Sequence, residues 1–214
     1  GEDSMGKVRI EHDMLGEREV PADAYYGIQT ERAIDNFHIT GVPISQYPEL
    51  IRALAMIKLA AARANFDCDN LREEALRGIE GACLEIIDGQ LHDQFPVDVI
   101  QGGAGTSTNM NANEVIASLA TAKLGSDVHP NDDVNMSQSS NDVIPTCVHV
   151  SAALAINEKL LPALRHLSET LETKAEETKD VVKTGRTHLM DAMPVTLGQE
   201  IDAWRSQVEH GAER

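Results

Sequence analysis

Gln101-Gly-Gly-Ala-Gly-Thr-Ser-Thr-Asn-Met-Asn-Ala-Asn113 is the stretch from which the fold of this chain is best read. Three glycines in four residues lead into small hydroxyl and amide side chains. A helical apolar pattern follows, Val115, Ile116, Leu119, Ala122 and Leu124, with Gly125 as its stop. Glycine lets a backbone turn through φ > 0 or pass close to a ligand. A helix start adds unpaired N–H groups and the positive end of a dipole, so a glycine loop entering a helix can hold an anion. Thr106, Ser107, Thr108 and Asn109 put neutral donors at the same point. Neither the Gly-Lys-Ser/Thr ending of a P-loop nor the spacing G-x-G-x-x-G is present, which excludes a nucleotide loop of either kind. Taken alone, the loop is either an anion site or a tight turn whose hydroxyls cap the helix.

On both sides of the loop the pattern is helical. Toward the N-terminus, Glu73 closes a capping box opened by Asn70, and Leu76, Ile79, Ala82, Cys83, Ile86 and Ile87 form one apolar face that ends at Gly89. Before it, Pro48 suits a first turn, with Leu50, Ile51, Leu54, Ile57, Ala61 and Ala64 as the face behind it. Residues 32–37 carry no clear periodicity, and Val8 to Val20 alternates about Gly16 as a small hairpin does. Toward the C-terminus, Val128 to Pro145 is crowded with turn formers. From Pro145 to about Val182 the spacing of Ile156, Leu160, Leu164, Leu167 and Leu171 predicts one long helix, kinked or loosened at Pro162. A helix of that length with a single leucine stripe belongs in a bundle. Lys183 to Pro194 breaks the pattern, and Pro194 opens a last helix with Leu197, Ile201, Trp204 and Val208.

Composition narrows the function. Over 214 residues the chain is 42% hydrophobic and 25% charged but only 3% aromatic, so its core must be aliphatic. A net charge of −17 argues against nucleic acid and against anionic membrane surfaces, both of which need a basic footprint. Cys68, Cys83 and Cys147 are odd in number, widely spaced and in no metal pattern, and are expected as reduced, buried thiols of a cytoplasmic protein. No apolar run has the length of a membrane span. No metal site and no cofactor are expected.

Three polar islands interrupt the helices, at 101–113, 129–142 and 184–191. The second offers Ser137, Ser139, Ser140 and Asn141 just before a helix. The third offers Arg186, Thr187 and His188, a histidine being the side chain that titrates near neutrality. Singly, serines before a helix are usually caps and a lone histidine is usually structural. Together, many neutral donors, one titratable group and few carboxylates suit a small dianion and a proton transfer.

The islands also carry a resemblance. Val20-Pro-Ala-Asp-Ala-Tyr-Tyr-Gly-Ile-Gln29, Gln94 to Ser107, His129-Pro-Asn-Asp-Asp-Val-Asn135, Ser137-Gln-Ser-Ser-Asn-Asp142, Gly185-Arg-Thr-His-Leu-Met-Asp-Ala192 and Leu197-Gly-Gln-Glu200 resemble the N-terminal half of the aspartase/fumarase superfamily. Members of that superfamily reversibly eliminate ammonia, water or a larger amine from a succinyl group and release fumarate. The resemblance implies a mainly α fold: an N-terminal helical domain with a small β-hairpin, followed by the first long helices of a central bundle. It implies boundaries at 1–7 for an expression remnant or disordered tail, 8–143 for the helical domain with the glycine loop, and 144–214 for the bundle. It further implies a homotetramer with shared active sites.

Within the superfamily, Gly102-Gly103-Ala104 resembles the aspartate ammonia-lyase form of the loop, where fumarate hydratases show Thr-Gly-Ser. Ser139-Ser140-Asn141 is the fumarase form, and Thr187-His188 is compatible with both. The resemblance implies elimination of ammonia from L-aspartate through an aci-carboxylate, with class II fumarate hydratase, or a silent scaffold of the same fold, as alternatives. By carry-over Thr106, Ser107, Ser139, Ser140, Asn141, Thr187 and His188 bind substrate, and Thr187 and His188 belong to the catalytic group. The His129 to Asn135 turn resembles a secondary anion pocket and is not expected to be catalytic. The superfamily's Gly-Ser-Ser loop, which by resemblance supplies the base, does not occur among the 214 residues. The chain is therefore expected to be a piece of a longer protein or one of two chains.

Overall fold

A computed structural model describes residues 7–214. The expected tail at 1–7 lies outside the described residues except for Lys7, whose carbonyl accepts a hydrogen bond from Ala22 N–H at 2.8 Å. Two compact units make up the chain, one ending at Ala152 and one formed by Ala153–Arg214. The fold is mainly helical, as the sequence predicts, with two small two-stranded sheets where one was expected.

In the first unit, β1 (Val8–Asp13) and β2 (Gly16–Pro21) pair as the antiparallel hairpin foreseen from the alternation. Helix α1 (Ile28–Asn36) was not legible, α2 (Pro48–Asp67) starts on Pro48 as predicted, and α3 (Glu73–Ile87) and α4 (Thr106–Leu124) follow. Helix α4 is the centre of the unit. Residues 111–117 are buried at every position, because α1, α2 and α3 all pack on it, and Gly125 ends it in the left-handed conformation. At Gly78 of α3 a Cβ would stand 2.5 Å from Leu124 Cδ1 and 3.0 Å from Ala120 Cβ, so α3 packs closely on α4 there and a side chain would push Leu124 aside. The core is aliphatic, with Ile51, Leu54, Ile79, Ile86, Val115 and Ile116 almost wholly inaccessible and Phe95 beside them.

Several local expectations are corrected. Asn70 does not cap α3; Arg72 stands at the N-cap, its side chain turned to Asp127 O and Asp133 and making no capping bond, while Asn70 N–H is used by Asn65 O, which fixes the turn one step earlier. The buried face of α2 runs through Ile51, Leu54, Ala55, Lys58, Ala62 and Asn65, leaving Ile57 half-buried and Ala64 exposed. The stripe is rotated because it includes Lys58 and Asn65, which hydropathy assigns to solvent. On α4, Ala122 is exposed. Cys68 is exposed at the end of α2, whereas Cys83 and Cys147 are buried as expected.

Helix α5 (Ser140–Ala155) begins five residues before its expected start, with Pro145 inside it. Proline in the second turn loses only one helical bond, so the Ser139 cap, not Pro145, sets the start. A π-turn at Ile156–Leu160 precedes α6 (Leu161–Glu177), the loosening expected at Pro162, whose missing N–H and ring disfavour the regular ladder there. Helix α6 ends at Glu177, short of Val182. The supposed break is a second hairpin, β3 (Val182–Thr187) and β4 (Met190–Thr196), with its register shifted between Thr184 and Arg186. Pro194 therefore lies in a strand. The last helix, α7 (Leu197–Glu213), opens on a capping box made by Thr196 and Gln199. It packs on α6, where Ser168 Oγ donates to Glu209 Oε1 at 2.9 Å. Of the leucine stripe, Leu164 and Leu171 are half-buried and Leu160 and Leu167 exposed. No helix among the described residues is long and apolar enough to cross a membrane.

Candidate active site

The glycine loop closes with Gly105 N–H donating to Gly102 O at 2.8 Å, and Gly105, the N-cap of α4, has φ +69°. A Cβ there would stand 2.8 Å from Ile144 Cγ1 and 2.9 Å from its Cγ2, so conformation and space both require glycine. Gln101 braces the helix start. Its Oε1 accepts from Thr108 N–H at 2.9 Å, and its Nε2 donates to Thr108 Oγ1 at 2.6 Å and Asp98 O at 3.0 Å. Among the described residues nothing accepts from the N–H groups of Thr106 and Ser107. The helix therefore presents two free backbone donors and a positive dipole end beside the Thr106 and Ser107 hydroxyls.

Asp98, beneath the loop, is nearly inaccessible. Burial by itself would raise its pKa. The N–H groups of Ile100, Thr40 and Gly41 and the Thr40 hydroxyl outweigh that and hold the carboxyl well below the usual range. The approach to the glycine loop is thus pinned by an ionised carboxylate facing inward, away from any role in binding an anion.

The second island meets the first. Thr106 Oγ1 and Ser140 Oγ are 3.2 Å apart, joining the starts of α4 and α5. Ser139 caps α5: its Oγ accepts from Asn141 N–H at 3.2 Å, and Asp142 Oδ1 accepts from Ser139 N–H at 3.0 Å. A hydroxyl that accepts a capping bond keeps its own proton to donate, so capping and substrate binding do not compete for Ser139. Thr106, Ser139 and Asn141 are exposed, and Ser107 and Ser140 half-buried. Four of the predicted donors thus stand at one accessible place with Asn141 next to them. Against the loop lies a mostly apolar cavity of about 260 Å³, with Gly102, Gly103 and Gly105 on one side and Ile44, Ile144 and Cys147 on the other. In the His129 turn, His129 Nδ1 accepts from Asn131 N–H at 3.3 Å and Asp132 N–H at 3.1 Å, a capping role.

Thr187 and His188 belong to the second unit. His188 and Leu189 form the two-residue turn of the β3–β4 hairpin with φ +50° and +61°, and both are exposed. Hairpins of this kind favour Asn-Gly at those positions, since a side chain at positive φ is strained. His188 is therefore displayed at a hairpin tip at a conformational cost, as functional residues often are. Arg186 is also exposed, 3.9 Å from Asp191.

Asn109, expected as a donor at the loop, is instead buried, with its Nδ2 donating to Asn135 Oδ1. With Asn113, Asn135, Gln138 and Lys58, whose part sequence reasoning missed, it holds the two islands together. Lys58 could have been found as the one charged residue on the stripe of Ile51, Leu54 and Ala62.

Comparison with known proteins agrees with this picture. A family model described as "Lyase" matches residues 16–214. The chain is 52% identical to Fumarate hydratase class II 2 of Pseudomonas aeruginosa, covering 95% of this chain and 44% of that protein. It is 50% identical to Aspartate ammonia-lyase of the same organism, covering 96% and 44%. The crystal structure of fumarate lyase:delta crystallin from Brucella melitensis in native form superposes with a TM-score of 0.93 at 50% identity, covering 97% of this chain and 50% of that one. The chain spans less than half the length of these curated relatives.

Proposed function

Because the chain belongs to the aspartase/fumarase superfamily of lyases, we propose that the full-length protein releases fumarate from a four-carbon dicarboxylate by β-elimination, with L-aspartate as the substrate and ammonia as the leaving group. The observation that carries the reading is the Thr106–Ser140 pair, two hydroxyls 3.2 Å apart at two helix starts. Removing the Cβ proton puts a second negative charge on the neighbouring carboxylate. Donors already aimed at that carboxylate lower the barrier, because they need no reorganisation as charge develops. Thr106, Ser107, Ser139 and Ser140 supply such hydroxyl donors, the neighbouring Asp142 carboxylate being engaged by Ser139 N–H, and the α4 dipole adds to their field. Asn141, Thr187 and His188 position the amino end in this reading. His188 holds the ammonium and is not an essential acid. The base belongs to a Gly-Ser-Ser loop outside these 214 residues, and a homotetramer with shared sites, in the cytoplasm, completes the proposal.

Leaving-group choice rests on Gly102-Gly103-Ala104, which lacks the hydroxyl that the fumarase triplet would place at the loop. A second reading, hydration of fumarate to malate, is favoured by Ser139-Ser140-Asn141 and by the 52% identity to a protein named fumarate hydratase. Ultraviolet absorbance of fumarate, followed with L-aspartate and with L-malate, separates the two. Turnover of aspartate with little of malate is expected. Malate turned over as fast as aspartate would overturn the ammonia reading, and turnover of neither would overturn the lyase reading.

A further inference from the structure

Lys58 is 0% exposed in the middle of α2. Its Nζ donates to Asn135 Oδ1 at 2.9 Å and Gln138 Oε1 at 3.0 Å, both neutral acceptors. Asn135 Oδ1 takes two more donors, Asn109 Nδ2 at 3.0 Å and Asn113 Nδ2 at 3.2 Å, both from α4. The acceptors belong to a segment closed on itself: Asn135 Nδ2 donates to Gln138 O, and Gln138 Nε2 donates to Val134 O and Met136 O. A polar knot over 134–138 is thus fastened to α2 by the Lys58 ammonium and by Asn65, whose Nδ2 donates to Met136 O at 2.9 Å, and to α4 by two amides. Helix α4 begins at Thr106, and the knot runs straight into Ser139 and Ser140.

An ammonium buried against neutral amides costs stability that an apolar side chain of similar size would not. If the contact served only to glue α2 to the loop, apolar side chains in place of the lysine and both amides would serve as well or better. What the ammonium adds is geometry, since it holds two amide oxygens at fixed points through directed donors. The two amides of α4 do the same from the other side while their own oxygens, Asn109 Oδ1 and Asn113 Oδ1, take no hydrogen bond among the described residues. Both are oriented toward Asn135 at the expense of their own acceptors.

We infer that Lys58 is a positioning residue for the candidate active site: by fixing Asn135 and Gln138 against α2 it sets where the Ser140 hydroxyl stands relative to Thr106. The inference rests on the reading of Thr106 and Ser140 as substrate donors. Lys58 touches no substrate in this account; it acts through the knot.

A double-mutant cycle on the full-length protein tests it, with kcat/KM for fumarate release measured for wild type, Lys58→Met, Ser140→Ala and the double variant. If Lys58 acts by placing Ser140, Lys58→Met loses about tenfold in the wild-type background and less than about threefold once the Ser140 hydroxyl is gone. Gln138→Met removes one of the two Lys58 acceptors from the half-buried loop side, together with the Nε2 bonds to Val134 O and Met136 O, and by loosening the same knot gives the same dependence on the Ser140 hydroxyl; it decides the matter if Lys58→Met does not fold. Equal losses in both backgrounds would overturn the inference, because a role in overall stability does not depend on the Ser140 hydroxyl. So would unchanged kcat/KM in folded Lys58→Met. Wild-type activity in Ser140→Ala would instead overturn the site reading itself, and the two failures are told apart by that single variant.

Discussion

Gly105→Ala is the most local perturbation of the site that the structure allows. At φ +69° the residue sits in the left-handed region, which costs a side-chain-bearing residue about 1–2 kcal/mol. The added methyl would also stand 2.8–2.9 Å from two carbons of Ile144, which packs against the core behind the loop. Overpacking of that kind costs about 1–3 kcal/mol. The sum, on the order of 2–5 kcal/mol, is comparable to a large part of a domain's stability. Relief by moving Ile144 would shift α5 against α4 and separate Thr106 from Ser140, so activity should fall by about tenfold or more. Gly103→Ala is the control for stability: nothing lies within 4 Å of its added methyl and its φ is not positive, so its midpoint should be unchanged or slightly raised. Denaturant midpoints of both variants, and kcat/KM of Gly105→Ala against wild type, form the assay. A Gly105→Ala protein with the wild-type midpoint and activity would refute the reasoning about the loop.

Two further outcomes follow from burial. Burial lowers the Lys58 pKa to about 7, against about 10.4 in the unfolded chain. Between those values the unfolded state binds the extra proton, so stability should rise with pH, by at most about 1.4 kcal/mol per unit from this group. Lys58→Met should lack that rise, which a comparison of unfolding curves across the window would show. Cys68 should react with a thiol reagent in the native protein, whereas Cys83 and Cys147, both thiols pushed up to about 12 by burial, should react only after unfolding; mass spectrometry of the labelled chain reads this directly.

What the sequence revealed and what it hid have the same physical origin. Signals carried by neighbours in the chain were legible: the alternation of β1 and β2, Pro48 at the start of α2, the apolar face of α3, Gly125 at the end of α4 and the loosening near Pro162. Helix α1 was invisible because its start is satisfied from a distance. Glu11 Oε2 accepts from Ile28 N–H, and Glu114 accepts from the N–H groups of Gly27, Gln29 and Thr30, across 17 and 84–87 residues. Burial pushes the Glu114 carboxyl pKa up, and those donors with the Thr30 hydroxyl pull against it. Neither contact leaves a trace in the local sequence. The β3–β4 hairpin was missed because its turn is His188-Leu189 and not the Asn-Gly that positive φ favours. At the site, the hydroxyls were legible as residue types, and their meeting at Thr106 and Ser140 was not, since it depends on Lys58 and three asparagines packed between helices.

The central claim is that the glycine-loop hydroxyls stabilise developing negative charge on a substrate carboxylate. Thr106→Ala in the full-length protein tests it most directly, because Thr106 is exposed and its Oγ1 has Ser140 as its hydrogen-bond partner, so the change removes one donor without disturbing the core. Loss of one donor to a developing oxyanion is worth ~2.7 kcal/mol or more. The account predicts a fall in kcat/KM for fumarate release on the order of 10²-fold, carried mainly by kcat, with the melting midpoint little changed. A fall of less than about threefold at an unchanged midpoint would mean that the loop only caps α4, and would contradict the account.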